Sequence, residues 1–399
     1  MNNICFHFQI SQPFRLRTYR FFDINQNHNY YDDFQNQYLT RRLAERCYIP
    51  ANKMLLEIIR NNPGKFKVSF SLSGSSISLF NNYCPEVIYS FKELIDTGCV
   101  EITGNTFTHS LASLHNESAF LEQVRLQEQL LKDTFGVKPI SFCNTEIIYS
   151  DEIGEWLGNA GYRVILTEGA RHILGWKSPT YLYCNPYQTD VKLLLRSYQL
   201  CDDITLRFAD KSWDMYPLTA DKYLKFIDNC HRGNENPLIN LFWDYETIGE
   251  HYAADTGIFE FFKDLVGRLI RDENYKFILP KDVLNLDMSP STMHAPWAIS
   301  YSGEEKDTNE WLGNELQKEA FEQLFKLEEL YNKSENKNAK IAWLRLQAAD
   351  HFNFMSSKWF KHRSVKRNFD VYTSPYQAFI NYMNVLNDVK LQLEERISN

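Results

Sequence analysis

Metal-binding and redox signatures are missing from this 399-residue chain: its 8 cysteines form no C-x-x-C pair, and its 10 histidines form neither H-x-x-x-H nor H-E-x-x-H. Those absences remove the usual zinc and dithiol frameworks, so neither a catalytic metal nor a cofactor is expected. The thiols are scattered and read as buried, reduced side chains. Cys143, three residues before Glu146, is a candidate to line a pocket. Positive charge is also short, with 43 Lys and Arg against 51 Asp and Glu and a net charge of −8. Without a basic stripe to displace counterions, nucleic-acid binding is excluded. The first ten residues carry no positive region followed by a long apolar stretch, and no later segment approaches the length of a membrane span; a soluble, cytoplasmic protein is expected. Internal repeats and low-complexity tracts are absent, and the charge run at 333–340 reads as a solvated turn.

Apolar and aromatic residues are abundant: 44% of the chain is hydrophobic, with 28 Phe, 23 Tyr and 8 Trp. Core packing accounts for most of those rings, and the remainder suits stacking on sugar rings. Apolar or β-branched runs at 3–10, 66–72, 99–103, 140–145, 163–167, 191–196 and 238–243 predict seven strands. Between most of them lie stretches with apolar residues three and four apart, at 39–60, 85–97, 117–135, 151–160, 219–230 and 256–272, which predict helices. Strands alternating with helices give an α/β chain, a parallel seven-stranded (β/α) barrel over residues 1–287. A Pro- and Ser-bearing linker at 288–296 follows. Helices are then expected near 310–331, 338–359 and 374–397, an all-helical region over 288–399 packed on the barrel and completing its cleft.

Two acids stand where apolar runs end. In Leu241-Phe-Trp-Asp-Tyr-Glu-Thr-Ile-Gly-Glu-His251 the run stops at Trp243 and Asp244, with Glu246 in the loop beyond; Ile140-Ser-Phe-Cys-Asn-Thr-Glu-Ile-Ile-Tyr149 supplies Glu146 in the same way. Carboxylates are costly to bury and at strand exits usually serve chemistry. Two opposed carboxylates are the minimal equipment for cleaving a glycosidic bond. Trp243 and Glu246 are placed to desolvate or charge-couple the acid at Asp244. His7, between Phe6 and Phe8, reads as a hydrogen-bonded core residue, whereas His109, His251 and His351 each lie beside a motif.

Five segments together resemble glycoside hydrolase family 57, in its α-amylase-like bacterial group. They are Phe8-Gln-Ile-Ser-Gln-Pro-Phe14 with Arg15, Val100-Glu-Ile-Thr-Gly-Asn-Thr-Phe-Thr-His-Ser110, Phe142-Cys-Asn-Thr-Glu-Ile-Ile-Tyr-Ser-Asp-Glu152, the stretch 243–256, and 299–317 with Trp311-Leu-Gly-Asn314. The resemblance implies a seven-stranded barrel followed by a helical bundle, acting on α-glucans such as glycogen or maltodextrin with retention of anomeric configuration. It puts the nucleophile on Glu146 and the general acid/base on Asp244. It implies substrate contacts from Ser11, Gln12, His109, Trp243, Glu246, His251 and His351, with Tyr301 lining a subsite and Asp307 and Trp311 closing the cleft. Four positions depart from the family pattern: Ser11 stands for a histidine, Asn105 for an acid, Cys143 for an arginine and Tyr301 for a tryptophan. Hydrolase or 4-α-glucanotransferase is the leading expectation, and a glucan-binding homologue of weak or no turnover is the alternative. A metal-dependent polysaccharide deacetylase is disfavoured by the missing histidine spacing.

Overall fold

The computed structural model describes residues 1–231, 233–358 and 372–395. Its centre is a ring of parallel strands: β1 (Asn2–Ile10), β2 (Val68–Leu72), β3 (Val100–Ile102), β4 (Ser141–Cys143), β5 (Val164–Glu168), β7 (Lys192–Arg196) and β8 (Leu238–Asp244). β1 pairs with β2 on one side and β8 on the other, and the order continues β2–β3 and β8–β7–β5–β4. Nearly every residue of β1, β2 and β8 is buried, as strands covered on both faces require. The fold is an incomplete (β/α) barrel with a helical C-terminal part.

Two joints close the ring with little backbone pairing. Between β3 and β4, the Gly104 amide donates to the Ser141 carbonyl (2.8 Å) and the Cys143 amide donates to the Gly104 carbonyl (2.9 Å). Between β7 and β8 side chains substitute for the ladder: the Asn240 amide donates to the Leu195 carbonyl (3.0 Å), and Arg196 Nε donates to the Phe242 carbonyl (3.1 Å). Three short strands add to the seven expected: β6 (Tyr183–Cys184) runs antiparallel to β7, β9 (Tyr275–Phe277) lies along the start of β1, and β10 (Ser291–Thr292) pairs with β6. Pieces of two or three residues carry too little periodicity to be read from sequence.

The helix expected over 39–60 is interrupted. Asp33–Leu43 passes through a wider turn at Ala44–Tyr48 before the chain resumes as Ile49–Asn61 with Pro50 in its first turn. Proline has no N–H for the carbonyl one turn back, that of Arg46, and a one-residue widening absorbs the defect. That region is packed closely by the loop after β8, where a Cβ on Gly249 (φ +102°) would sit 2.1 Å from the Arg46 carbonyl oxygen. Only glycine permits that approach in that conformation. The Cys47 thiol meets the Tyr245 carbonyl nearby (3.2 Å), so the broken helix seats the loop that carries Glu246.

The helix expected over 310–331 is three helices, Asn309–Leu312, Glu315–Phe325 and Glu328–Lys333; Gly313 and a capping box of Asn314 with Gln317 make the first break. The region expected over 338–359 is Lys337–Leu346 followed by Ala349–Asn353, and its end beyond residue 358 lies outside the described residues. Helix Pro375–Glu394 occupies the last expected span, of which residues 396 and 397 lie outside the description. Helices Gly74–Tyr83 and Tyr198–Arg207 were not expected. Trp311, Trp343, Phe352 and Tyr382 of the C-terminal helices share one core with Phe120, Phe142 and Leu157 from the barrel side.

The ring closure at Gly104 is testable. A Cβ there would lie 2.5 Å from the Tyr162 hydroxyl, which is itself held by Glu128, so Gly104→Ala should cost about 1–3 kcal/mol in urea denaturation. Gly267→Ala, on an open face of helix Ile258–Arg271, should instead stabilise by roughly 0.5–1 kcal/mol. Equal effects at the two sites would contradict this account of the closure.

Candidate active site

Glu146 and Asp244 project from the C-terminal ends of parallel strands. Asp244 is the last residue of β8, and Glu146 lies in the turn just after β4. That turn is unusual: Glu146 (φ 52°) and Ile147 (φ 47°) both occupy the left-handed region, as does His109 (φ 57°) in the loop after β3. Such backbone costs on the order of 1–3 kcal/mol per residue and persists only where surrounding contacts over-determine it. Those contacts are present. The Asn144 side chain accepts from the Thr145 amide (2.8 Å) and donates to the Ile148 carbonyl (2.9 Å), and Ser300 Oγ donates to the Glu146 carbonyl (2.9 Å). The His109 carbonyl accepts from the Ala349 amide (2.9 Å), which ties it to the C-terminal helices.

One cleft of about 720 Å³, counting its open mouth, gathers Glu146, Asp244, Glu246, His109, His251 and Tyr301. His109 Nε2 lies 3.0 Å from Glu146 Oε1. Burial lowers the imidazole pKa, but the hydrogen bond and charge of Glu146, reinforced by Asp350 and Asp244, outweigh it and raise the value above its ordinary 6.5. The Tyr301 hydroxyl stands 3.3 and 3.4 Å from the two Asp244 oxygens, and burial with the charges of Asp244 and Glu146 raises its pKa well above the ordinary value. Under its ring lies the Arg196 guanidinium, 5.5 Å from the centroid, which is paired with Glu168 (3.1 Å) and Asp202 (2.7 Å). Lys306 donates to the Tyr301 carbonyl (2.9 Å). The phenol is therefore fixed at its ring, its backbone and its oxygen.

Glu246 sits behind Asp244. Its Oε1 accepts from Tyr48 (2.5 Å) and from Gln12 (3.0 Å), whose own carbonyl oxygen accepts from Arg15 (2.8 Å). Burial, with Asp244 adding, pushes the Glu246 carboxyl up to about 7 against the pull of its two donors.

Of the residues singled out from sequence, Ser11, Gln12, His109, Glu146, Asp244, Glu246, His251 and Tyr301 line this cleft. Four others do not. Trp243 neighbours Asp244 on the strand and so points to the opposite face, where it packs against Phe6, Phe8 and Phe262 and donates to the Cys201 carbonyl (3.3 Å). Trp311 is fully buried in the helical core. His351 packs against Tyr382, and burial holds its pKa down at about 4. Asp307 caps the Asn309 amide (2.9 Å) and borders a neighbouring groove. Cys143 is likewise buried in the core rather than lining the cleft, its thiol pushed up to about 12 by burial. His7 is held between Ser69 (2.9 Å) and Ser71 (3.3 Å), with burial lowering its pKa to about 3. Conversely, the cleft includes Arg15, Asp350, Asn353 and Phe354, which were not expected there. An acid beside His351 was the available signal for Asp350, and helix phase decides between neighbours. Among the described residues no group of three or more His, Cys, Asp or Glu is arranged to hold a metal ion, and no helix is long and apolar enough to cross a membrane.

The raised Glu246 carboxyl sets a pH dependence of stability. A folded pKa of about 7 against an ordinary 4.5 means that the folded state holds this proton more tightly. Its contribution is complete below 4.5 and lost as pH rises through 7, a swing of roughly 3 kcal/mol. Glu246→Gln keeps an acceptor for Tyr48 and stays neutral, so its stability relative to wild type should rise between pH 5 and 8 in urea denaturation. Parallel curves would show that Glu246 titrates normally.

Comparison with known proteins agrees with this architecture. The sequence model described as Glycosyl hydrolase family 57 matches residues 5–300. The "Putative alpha-amylase" of Methanocaldococcus jannaschii is 35% identical over 415 residues, covering 99% of this chain and 85% of that protein. In fold, the chain is similar to the family 57 branching enzyme of Thermococcus kodakaraensis (TM-score 0.67, 13% identity, 90% of this chain and 86% of that one). It is also similar to the 4-alpha-glucanotransferase of Thermococcus litoralis (TM-score 0.63, 14% identity), covering 88% of this chain but 55% of that enzyme, about half its length. The protein belongs to glycosyl hydrolase family 57.

Proposed function

We propose that the protein is a retaining α-glucan hydrolase or 4-α-glucanotransferase acting on glycogen or maltodextrin, with Glu146 as nucleophile and Asp244 as general acid/base. The observation that carries this reading is the convergence of Glu146 and Asp244 on one cleft, with the Tyr301 hydroxyl 3.3 Å from Asp244 and in the field of both charges. Two carboxylates facing one cleft are the pair that a double displacement requires, one as nucleophile and one as proton donor. The names of the relatives (amylase, branching enzyme, glucanotransferase) support an α-glucan substrate. A cytoplasmic location and the division into 1–287 and 288–399 belong to the same proposal.

In this mechanism Glu146 attacks the anomeric carbon while Asp244 gives its proton to the departing glycosidic oxygen. The resulting glycosyl ester on Glu146 is then opened by water, or by a sugar hydroxyl, whose proton returns to Asp244. His109 orients the nucleophile and Tyr301 the acid/base. Ser11, Gln12 and His251 are proposed to contact the substrate. Ser11, where the family pattern has a histidine, favours a second reading in which the cleft binds glucan and turns it over weakly.

Glu146→Gln should lower turnover of maltoheptaose by at least a thousandfold while leaving its binding nearly intact, roughly 4 kcal/mol of barrier. Asp244→Asn should retain reaction with an α-glucosyl fluoride, whose leaving group needs no proton. Wild type that binds maltoheptaose but neither cleaves nor redistributes it would favour the binding reading. Tyr301→Phe keeps the ring over Arg196 and removes only the hydroxyl. Its kcat should fall about ten- to a hundredfold, the worth of a hydrogen bond to a charged group, with little change in KM; unchanged kcat would remove Tyr301 from the mechanism.

A further inference from the structure

The two most exposed tryptophans among the described residues lie away from the carboxylate cleft: Trp176 is 93% and Trp297 is 80% accessible. Neither contributes to the hydrophobic clusters. Leaving a tryptophan almost wholly in water forgoes the burial that makes the residue useful, and such surfaces commonly mark a ligand's place. Trp297 lines a groove with Arg171, Tyr198, Lys306 and Asp307. A second groove begins at the shared residues Arg171 and Tyr198 and continues past Gly175 and Lys177, the two neighbours of Trp176 in the chain.

Three properties identify the occupant. The two hollows, of about 780 and 760 Å³, share Arg171 and Tyr198, so together they form one continuous surface longer than a single small-molecule pocket and suited to an extended chain. Their charges are of both signs and partly paired, Arg207 with Asp203 (2.5 Å) and Lys306 with Asp202 (3.6 Å), which suits a neutral polyhydroxylated ligand rather than an anion. The groove also abuts the carboxylate cleft across one segment, which gives Tyr301 to the cleft and Ile299, Lys306 and Asp307 to the groove.

We infer that this groove holds remote sugar units of a long α-glucan chain, with Trp297 and Trp176 as stacking platforms outside the reacting subsites. The inference rests on the α-glucan reading above and gives Asp307 a place beside the chain instead of over the cleft.

Wild type, Trp297→Ala, Trp297→Phe and Trp176→Ala can be compared on maltotriose, maltoheptaose and glycogen. Because both rings are exposed, these substitutions leave the core untouched. The expected result is maltotriose kcat/KM within about twofold of wild type for every variant, while glycogen kcat/KM falls roughly tenfold in the two alanine variants, through KM. Trp297→Phe should recover most of the loss. Equal losses at all chain lengths, or none on glycogen, would overturn the inference. If wild type turns over none of the three, the catalytic reading has failed, and retardation in glycogen-containing gels decides the groove alone: weaker retardation of both alanine variants supports it, unchanged retardation overturns it.

Discussion

The hydrogen bond from Ser300 Oγ to the Glu146 carbonyl joins the two parts of the chain at the point where the chemistry is proposed to occur. Glu146 holds a left-handed backbone that an isolated turn would relax, and one residue along from its clamp Tyr301 reaches Asp244. Segment 299–307 thus restrains the nucleophile's backbone and the Asp244 carboxylate together. It is fastened in turn by the Tyr149–Ile299 bridge, by Lys306 on the Tyr301 carbonyl and by the Arg196 guanidinium beneath the ring. A site spread over loops acquires in this way the rigidity that a strand end provides for Asp244.

Burying several carboxylates at one end of a barrel is expensive, and the surroundings of each acid differ accordingly. Glu146 has the imidazole of His109, whose own pKa it raises. Glu246 is pushed upward by burial and by Asp244 next to it, against the pull of its two neutral donors. Glu168, deeper in, is paired with buried Arg196. Burial raises the carboxyl pKa of both Glu246 and Glu168, against the pull of hydrogen-bond donors in the first case and of Arg196 in the second.

Much of this arrangement was legible in the sequence because its signals are local. An apolar run ending in an acid fixed attention on Glu146 and Asp244, and seven such runs matched the strands of the ring. Side-chain parity was harder to use: Trp243 and His351 each stand next to a cleft residue and face the other way, since neighbours on a strand or helix point apart. Helix breaks at Pro50 and Gly313 depend on which carbonyls find partners elsewhere in the fold, and the closure at Gly104 depends on β4, which arrives only after the intervening helix Glu117–Phe135. The contribution of Asp350, Asn353 and Phe354 to the cleft follows from the docking of the C-terminal helices, which no local pattern announces.

Proton NMR of maltoheptaose cleavage, recorded within the first turnovers and before mutarotation, tests the central claim most directly. A glycosyl-enzyme on Glu146, opened with proton return to Asp244, predicts that the new reducing end appears first as the α anomer and only later equilibrates. Initial release of the β anomer would contradict a glycosyl-enzyme on Glu146 and require the pair to work across an intervening water.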